Sequence, residues 1–249
     1  MIRKNILITG ASSGLGRGMA IEFAKKGRNL ALCARRMERL TELKQELLTL
    51  NPDITVSIKP LDVNDHQAVF QVFNEFRDEL GQLDRVIINA GMGKGASIGT
   101  GYFEANKQTA ETNFIAALAQ AEAAMTIFRE QNAGHLVTMS SISAVRGFRR
   151  AMTVYAATKA ALTSLSEGIR LDVMNTPIKV SCVHPGFIRS EINEKVKKVP
   201  FIVDTDVGCR ALVKAIEKER DNSYVPTWPW ALLHWWLRIA PKSTIRAMS

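Results

Sequence analysis

The sequence predicts an α/β fold, a doubly wound parallel sheet of about seven strands with helices on both faces. Three observations carry this expectation. Short apolar β-rich runs alternate with longer amphipathic stretches, the rhythm of βαβ units. A glycine-rich turn, Thr9-Gly10-Ala11-Ser12-Ser13-Gly14-Leu15-Gly16, directly follows the first apolar run. The chemistry-bearing residues fall where later runs end, on the edge where such sheets bind ligands.

Strands are predicted near 4–9, 29–34, 54–59, 84–88, 134–139 and 178–183, with a short last one near 223–225. Helices are predicted near 14–27, 36–50, 65–80, 104–131, 152–175 and 205–219. With 249 residues and 46% hydrophobic content the chain can bury a substantial core, so residues 1–249 read as one domain. Cys33, Cys182 and Cys209 are widely spaced in apolar surroundings, the pattern of reduced thiols in the cytoplasm. The chain enters its first strand at Lys4-Asn5-Ile6-Leu7-Ile8 without an export segment, and it has no run of eighteen apolar residues. No membrane span is therefore expected. The net charge of +9 is spread along the chain, which argues against nucleic acid and suits anionic small molecules, an acidic carrier or lipid headgroups. His66, His135, His184 and His234 lack metal-ligand spacing, so no metal site is expected.

In the first turn, Gly10, Gly14 and Gly16 permit a tight bend and let a pyrophosphate approach the backbone, while the free N–H groups of the following helix favour its charge. Ser12, Ser13 and Leu15 complete that cradle. The spacing Gly-x-x-x-Gly-x-Gly departs from the Rossmann Gly-x-Gly-x-x-Gly. About 20 residues on, where an acid would hold a bare ribose hydroxyl, the second strand ends in Arg35-Arg36. Two arginines, with Ser12, Ser13 and Arg17 in reach, favour a 2'-phosphate and hence NADP(H). Arg35 is the expected phosphate contact, with Arg36 as its neighbour. Asp62-Val63 closes the third strand, where Asp62 either accepts from an adenine amino group or caps the next helix. Asn89-Ala90-Gly91 closes the fourth, its small residues allowing close backbone approach.

Tyr155 and Lys159 stand four residues apart, on one face of a predicted helix, so the ammonium can lower the pKa of the phenol beside it. A phenol tuned in this way can exchange a proton with a carbonyl or alcohol oxygen, the proton half of a hydride transfer. Ser141 ends the fifth strand with its hydroxyl toward the site, and Ser140 should point the other way by strand alternation. Asn113 is a poor helix former in mid-helix, the kind of local inconsistency that marks function or a satisfied core amide. Pro185-Gly186, followed by Ile188, turns the chain after the sixth strand.

In this order and at these intervals, the residues from about 4 to 190 resemble the short-chain dehydrogenase/reductase family in its single-domain form. The resemblance implies an NAD(P)-dependent oxidoreductase with Tyr155 as acid/base and Lys159 lowering its pKa while holding the nicotinamide ribose. It implies that Ser141 positions the substrate oxygen, that Asn113 maintains a water-linked proton relay, and that Pro185, Gly186 and Ile188 form the nicotinamide-side turn. It also implies a homodimer or homotetramer. Ile88, Ser190 and a Ser141–Tyr155 interval one residue long depart from the common pattern, which leaves Ser140 and Ser143 as outside candidates for the serine.

The expected activity is an NADPH-dependent carbonyl reductase, reversible as an alcohol dehydrogenase. An NADPH-binding sensor or scaffold without turnover is the alternative from another class, and the short chain argues against a sugar-nucleotide epimerase. Residues 187–204 are expected to cover the substrate; Arg146, Arg149, Arg150, Lys195, Lys197 and Lys198 either form a basic rim that recruits an acidic or carrier-linked carbonyl substrate or belong to solvated loops. Residues 226–249 form an extension with all four tryptophans, expected to pack on the body or a partner subunit, or to lie in a membrane interface and serve a lipid-like ketone.

Overall fold

A computed structural model describes residues 2–189 and 201–248. Seven strands form one parallel sheet: β1 (Asn5–Thr9), β2 (Asn29–Ala34), β3 (Val56–Pro60), β4 (Arg85–Ile88), β5 (Gly134–Met139), β6 (Ile178–Pro185) and β7 (Asn222–Val225). Their order is β3-β2-β1-β4-β5-β6-β7. The winding reverses between β1 and β4, which opens a crevice outside their carboxyl ends. Each predicted strand is present, and β6 runs two residues further than expected, to Pro185.

Strand alternation divides β1 between two cores. Ile6 and Ile8 face Phe23 of α1 (Gly14–Lys25), Leu40 and Leu47 of α2 (Met37–Leu50), and Leu212 and Ile216 of α7 (Thr205–Ile216). Leu7 faces the opposite side, with Phe73 and Phe76 of α3 (His66–Leu80), Ala117 and Phe128 of α5 (Ala116–Gln131), and Leu162 of α6 (Met152–Asp172). Asp65 caps α3 by accepting from the Ala68 N–H at 3.0 Å. Gly81 ends it in the left-handed region, at φ 78°.

The helix expected over 104–131 is interrupted. Residues Phe103–Ala110 form α4, residues Glu111–Ile115 form a π-helical turn, and α5 follows. The extra residue in that turn changes the direction of the side chains it carries, Asn113 among them. A three-residue-per-turn segment, Ile142–Val145, leads from β5 toward α6. The Trp-rich extension is helical, as α8 (Thr227–Ile239) and α9 (Lys242–Met248). It closes a third cluster in which Trp230, Leu237, Ala240 and Ile245 pack on Ile142, Phe148 and Phe187. Of the expected substrate-covering segment, 190–200 lies outside the described residues, including Lys195, Lys197 and Lys198. Among the described residues, no helix is long and apolar enough to cross a membrane.

Candidate active site

The glycine turn is built by close contact. Gly10 has φ +65°, and a Cβ there would stand 2.9 Å from Ala90 Cα. A Cβ on Gly16 would strike the Gly10 carbonyl and lie 2.7 Å from Asn89 Nδ2. The Thr9 hydroxyl accepts from the Asn89 and Ala90 N–H groups, each at 3.1 Å, and Asn89 Nδ2 donates to the Thr9 carbonyl at 2.9 Å. These bonds tie the ends of β1 and β4 together, and small residues leave the rim of the crevice to backbone. Leu15 faces the core below it.

The two arginines separate. Arg36 Nη2 donates to Ser13 Oγ at 2.7 Å and to Ser12 Oγ at 3.2 Å, so this guanidinium joins the hydroxyls of the first turn. Arg35, the expected phosphate contact, has a 71% exposed side chain 4.0 Å from Asp62 Oδ2. Arg17 pairs with Glu46 of α2 instead of joining the serines. Asp62 Oδ1 accepts from the backbone N–H and side-chain amide of Asn64, both at 3.0 Å. The helix cap considered for Asp62 belongs to Asp65. Val63 is buried beside Leu61 in the second core.

At the carboxyl end of β5 the two serines diverge. Ser140 Oγ lies 2.9 Å from the Lys159 carbonyl, to which it donates, and 2.8 Å from Thr163 Oγ1, so it braces α6. Ser141 Oγ accepts from Ser143 N–H at 3.2 Å and from Ser143 Oγ at 3.0 Å. The same hydroxyl acts on the Tyr155 phenol, pulling its pKa down against burial. Ser143 therefore braces Ser141, a role its sequence position did not disclose.

Tyr155 and Lys159 share one face of α6, with the ammonium 5.7 Å from the centre of the phenol ring. Lys159 Nζ donates to the Met139 carbonyl at 2.8 Å. Burial pushes its pKa down to about 8 because desolvation penalises the charged form. Burial also pushes the Tyr155 phenol above its ordinary value, outweighing the opposing bond from Ser141. The lowered phenol expected from the sequence is not what the protein's own groups produce. At that ring distance, with its proton directed at a carbonyl, the ammonium does not offset desolvation.

Asn113 is buried in the π-helical turn and clamps the loop after β4. Its Oδ1 accepts from Met92 N–H at 2.8 Å, and its Nδ2 donates to the Met92 carbonyl at 2.9 Å. A Cβ on Gly91 would stand 3.2 Å from Asn113 Oδ1 and 3.6 Å from Lys159 Nζ, so both groups gather around this glycine. Behind Ser141, His184 Nδ1 lies 3.3 Å from the Ser141 carbonyl, and this imidazole outweighs burial in drawing the Cys182 thiol pKa down to about 7. The spacing Cys182-x-His184, on one side of a strand, was the available signal for this pair. Pro185-Gly186 receives the indole of Trp230, which occupies the space a Cβ on Gly186 would need. Ile188 is buried and bridges Val203, and it packs against Gly208.

Residues 4–200 match the short chain dehydrogenase family profile. The chain is 52% identical over 231 residues to an uncharacterized oxidoreductase of Mycobacterium tuberculosis, covering 93% of this chain and 91% of that one. It is 30% identical over 263 residues to 11-beta-hydroxysteroid dehydrogenase 1A of Arabidopsis thaliana, covering 96% and 72%. Among solved structures, levodione reductase superimposes with a TM-score of 0.79 at 20% identity, over 90% of this chain and 96% of that one. An alcohol dehydrogenase from Thermococcus sibiricus complexed with 5-hydroxy-NADP also gives 0.79, at 22% identity, over 89% and 94%. The chain belongs to the short-chain dehydrogenase/reductase family of oxidoreductases.

Proposed function

We propose that this protein is an NADP(H)-dependent carbonyl reductase, reversible as an alcohol dehydrogenase, with Tyr155 as its acid/base. The observation that carries the proposal is the Tyr155 ring and the buried Lys159 ammonium on one face of α6, with that ammonium bonded to the carboxyl end of β5 beside Ser141. The glycine rim suits a pyrophosphate, since a Cβ on Gly10 or Gly16 would collide with the chain. The Arg36–Ser12–Ser13 cluster supplies a cation and two hydroxyls suited to a 2'-phosphate. Arg36 thus replaces Arg35 as the leading candidate for that contact, with Asp62 and Val63 on the adenine side. Asn89, Ala90 and Gly91 would line the cofactor's path, and Pro185, Gly186 and Ile188 its nicotinamide end.

When bound, the cofactor supplies the hydride; the protein handles the proton and the oxygen. Ser141, whose oxygen is held by Ser143, would turn its proton from the Tyr155 phenol to a carbonyl oxygen when substrate binds. Tyr155 delivers the proton that the reduced oxygen takes up. A phenol pKa raised by burial keeps that proton in place at neutral pH, the form that protonating a carbonyl oxygen requires. Lys159 holds positive charge beside the developing phenolate and stabilises it. Asn113 keeps the Met92 loop and the Lys159 surroundings in register. The likeness to a hydroxysteroid dehydrogenase makes ketosteroids the first substrates to test, followed by quinones, sugars and 3-ketoacyl thioesters.

NADPH consumption across those ketones, followed by comparison with Tyr155→Phe, tests the reading. The variant should lose about a thousandfold in turnover while its NADPH affinity, followed by nucleotide fluorescence, stays within about twofold of the parent. Turnover within tenfold of the parent would sink the acid/base assignment.

A further inference from the structure

We infer that the outward face of α8 and the adjoining α9 form a docking surface for an anionic membrane, holding the protein on a lipid surface without crossing it. The extension has two apolar faces. Trp230, His234 and Leu237 are buried against the body. Trp228, Leu232, Trp235 and Ile239 are 74, 60, 66 and 83% exposed. Leu232, Trp235 and Ile239 follow the 3.6-residue period and form one stripe, and Trp228 stands just ahead of it. A helix apolar on both sides needs a partner on both, and the body covers only one. Phe201, also exposed, stands edge-on to Trp230 with ring centres 6.2 Å apart. It extends the apolar surface toward the Pro185–Gly186 turn.

Charge identifies the occupant. From residue 222 to 249 the chain has Arg238, Lys242 and Arg246 and no aspartate or glutamate. All three cations are exposed, and the Arg238 guanidinium lies 5.5 Å from the centre of the Trp235 ring. Amphipathic rings beside cations suit the headgroup layer of an anionic bilayer, where rings enter the interface and basic groups meet lipid phosphates and carboxylates. A second copy of this chain fits less well, because a two-fold contact would set the same acid-free, cationic flanks against each other. Arg146 strengthens the platform: its Nη1 donates to the Leu237 and Ala240 carbonyls at 2.8 and 2.7 Å and caps the end of α8. The docked protein would present its nicotinamide-side turn near the lipid, within reach of an apolar ketone dissolved there. The surface itself does not depend on the hydride chemistry.

The test is flotation of the full-length protein with vesicles of phosphatidylcholine alone and with about 30% phosphatidylserine. Binding should favour the anionic vesicles, weaken on raising salt to roughly 0.5 M, and fall at least about tenfold in Trp235→Ser/Ile239→Ser. Both substitutions fall on exposed side chains, so melting temperature should hold. If that double variant fails to fold, Lys242→Glu/Arg246→Glu must show the same loss. Failure of the parent to float with anionic vesicles, or undiminished flotation of the folded variants, overturns the inference. So does a parent dimer that Trp235→Ser/Ile239→Ser converts to monomer, since a second copy would then cover the stripe.

Discussion

The two edges of the sheet each bury a basic side chain, and they treat it in opposite ways. At the amino edge, Arg85 is 2% exposed and donates to Glu219 at 3.2 Å and to His135 Nδ1 at 2.8 Å. Arg3 reaches the same carboxylate at 2.8 Å. Burial lowers the Arg85 pKa to about 10, against the pull of Glu219, so the group stays charged at neutral pH. At the carboxyl edge, Lys159 pairs with no carboxylate among the described residues; it has one backbone carbonyl, a phenol ring and the Cys182 thiol, whose pull does not offset burial. Its pKa falls to about 8. A buried cation given a carboxylate is a structural tie, whereas one left without is poised to respond when charge develops beside it.

Replacing Glu219 should break the amino-edge tie and leave the chemistry alone. Glu219→Gln takes from buried Arg85 the carboxylate it is bonded to and leaves only the more distant Glu217, at an expected cost of about 3 kcal/mol in urea unfolding. Its pH dependence has a defined sign. Burial raises the Glu219 pKa, but Arg3 and Arg85 outweigh it and the folded value lies below 4.5. The stability it contributes is complete above that ordinary value and is lost as pH falls through the lower folded one. A matching change in the pH profile of turnover would break the contrast between the edges.

Arg36→Ala probes the carboxyl edge. Losing charge-assisted bonds of about 1.5 to 3 kcal/mol should weaken NADPH binding roughly tenfold to a hundredfold and leave NADH binding nearly unchanged. Arg35→Ala should change either by less than about threefold, as expected of an exposed pair. Titrations with both nucleotides decide it, and equal losses for the two variants would refute the distinction. The Lys159 contribution should appear in the reduction rate against pH. The charged form prevails below about 8 and Tyr155 keeps its proton through neutrality. Reduction should therefore run level through neutral pH and decline above about 8. A profile level to about pH 10 would show that the Lys159 ammonium is not needed.

Much of this was legible in the chain. Glycines before a helix, β-rich runs at regular intervals and a Tyr-Lys pair at helical spacing are local signals, and the strands, the first turn and the shared face of Tyr155 and Lys159 follow from them. The divergence of Ser140 and Ser141 was also readable, because adjacent residues leaving a strand face opposite ways. Other features depend on elements far apart in sequence. Arg36 rather than Arg35 meets the serines because of how the end of β2 lies against the start of α1. The π-helical turn at Asn113 has no distinct periodicity, and its clamp on Met92 forms only where α5 passes the loop after β4.

The sequence by itself determined the order of elements and the chemical groups available at the strand ends, since periodicity and turn chemistry act over a few residues. Tertiary structure decided which of those groups meet. It decided the direction of the Tyr155 pKa, because desolvation depends on what surrounds the ring. It also divided the tryptophans, with Trp230 at 4% exposure against the Pro185–Gly186 turn and Trp235 outside at 66%. Composition counts them alike; only the docking of α8 on the sheet's last strands distinguishes them.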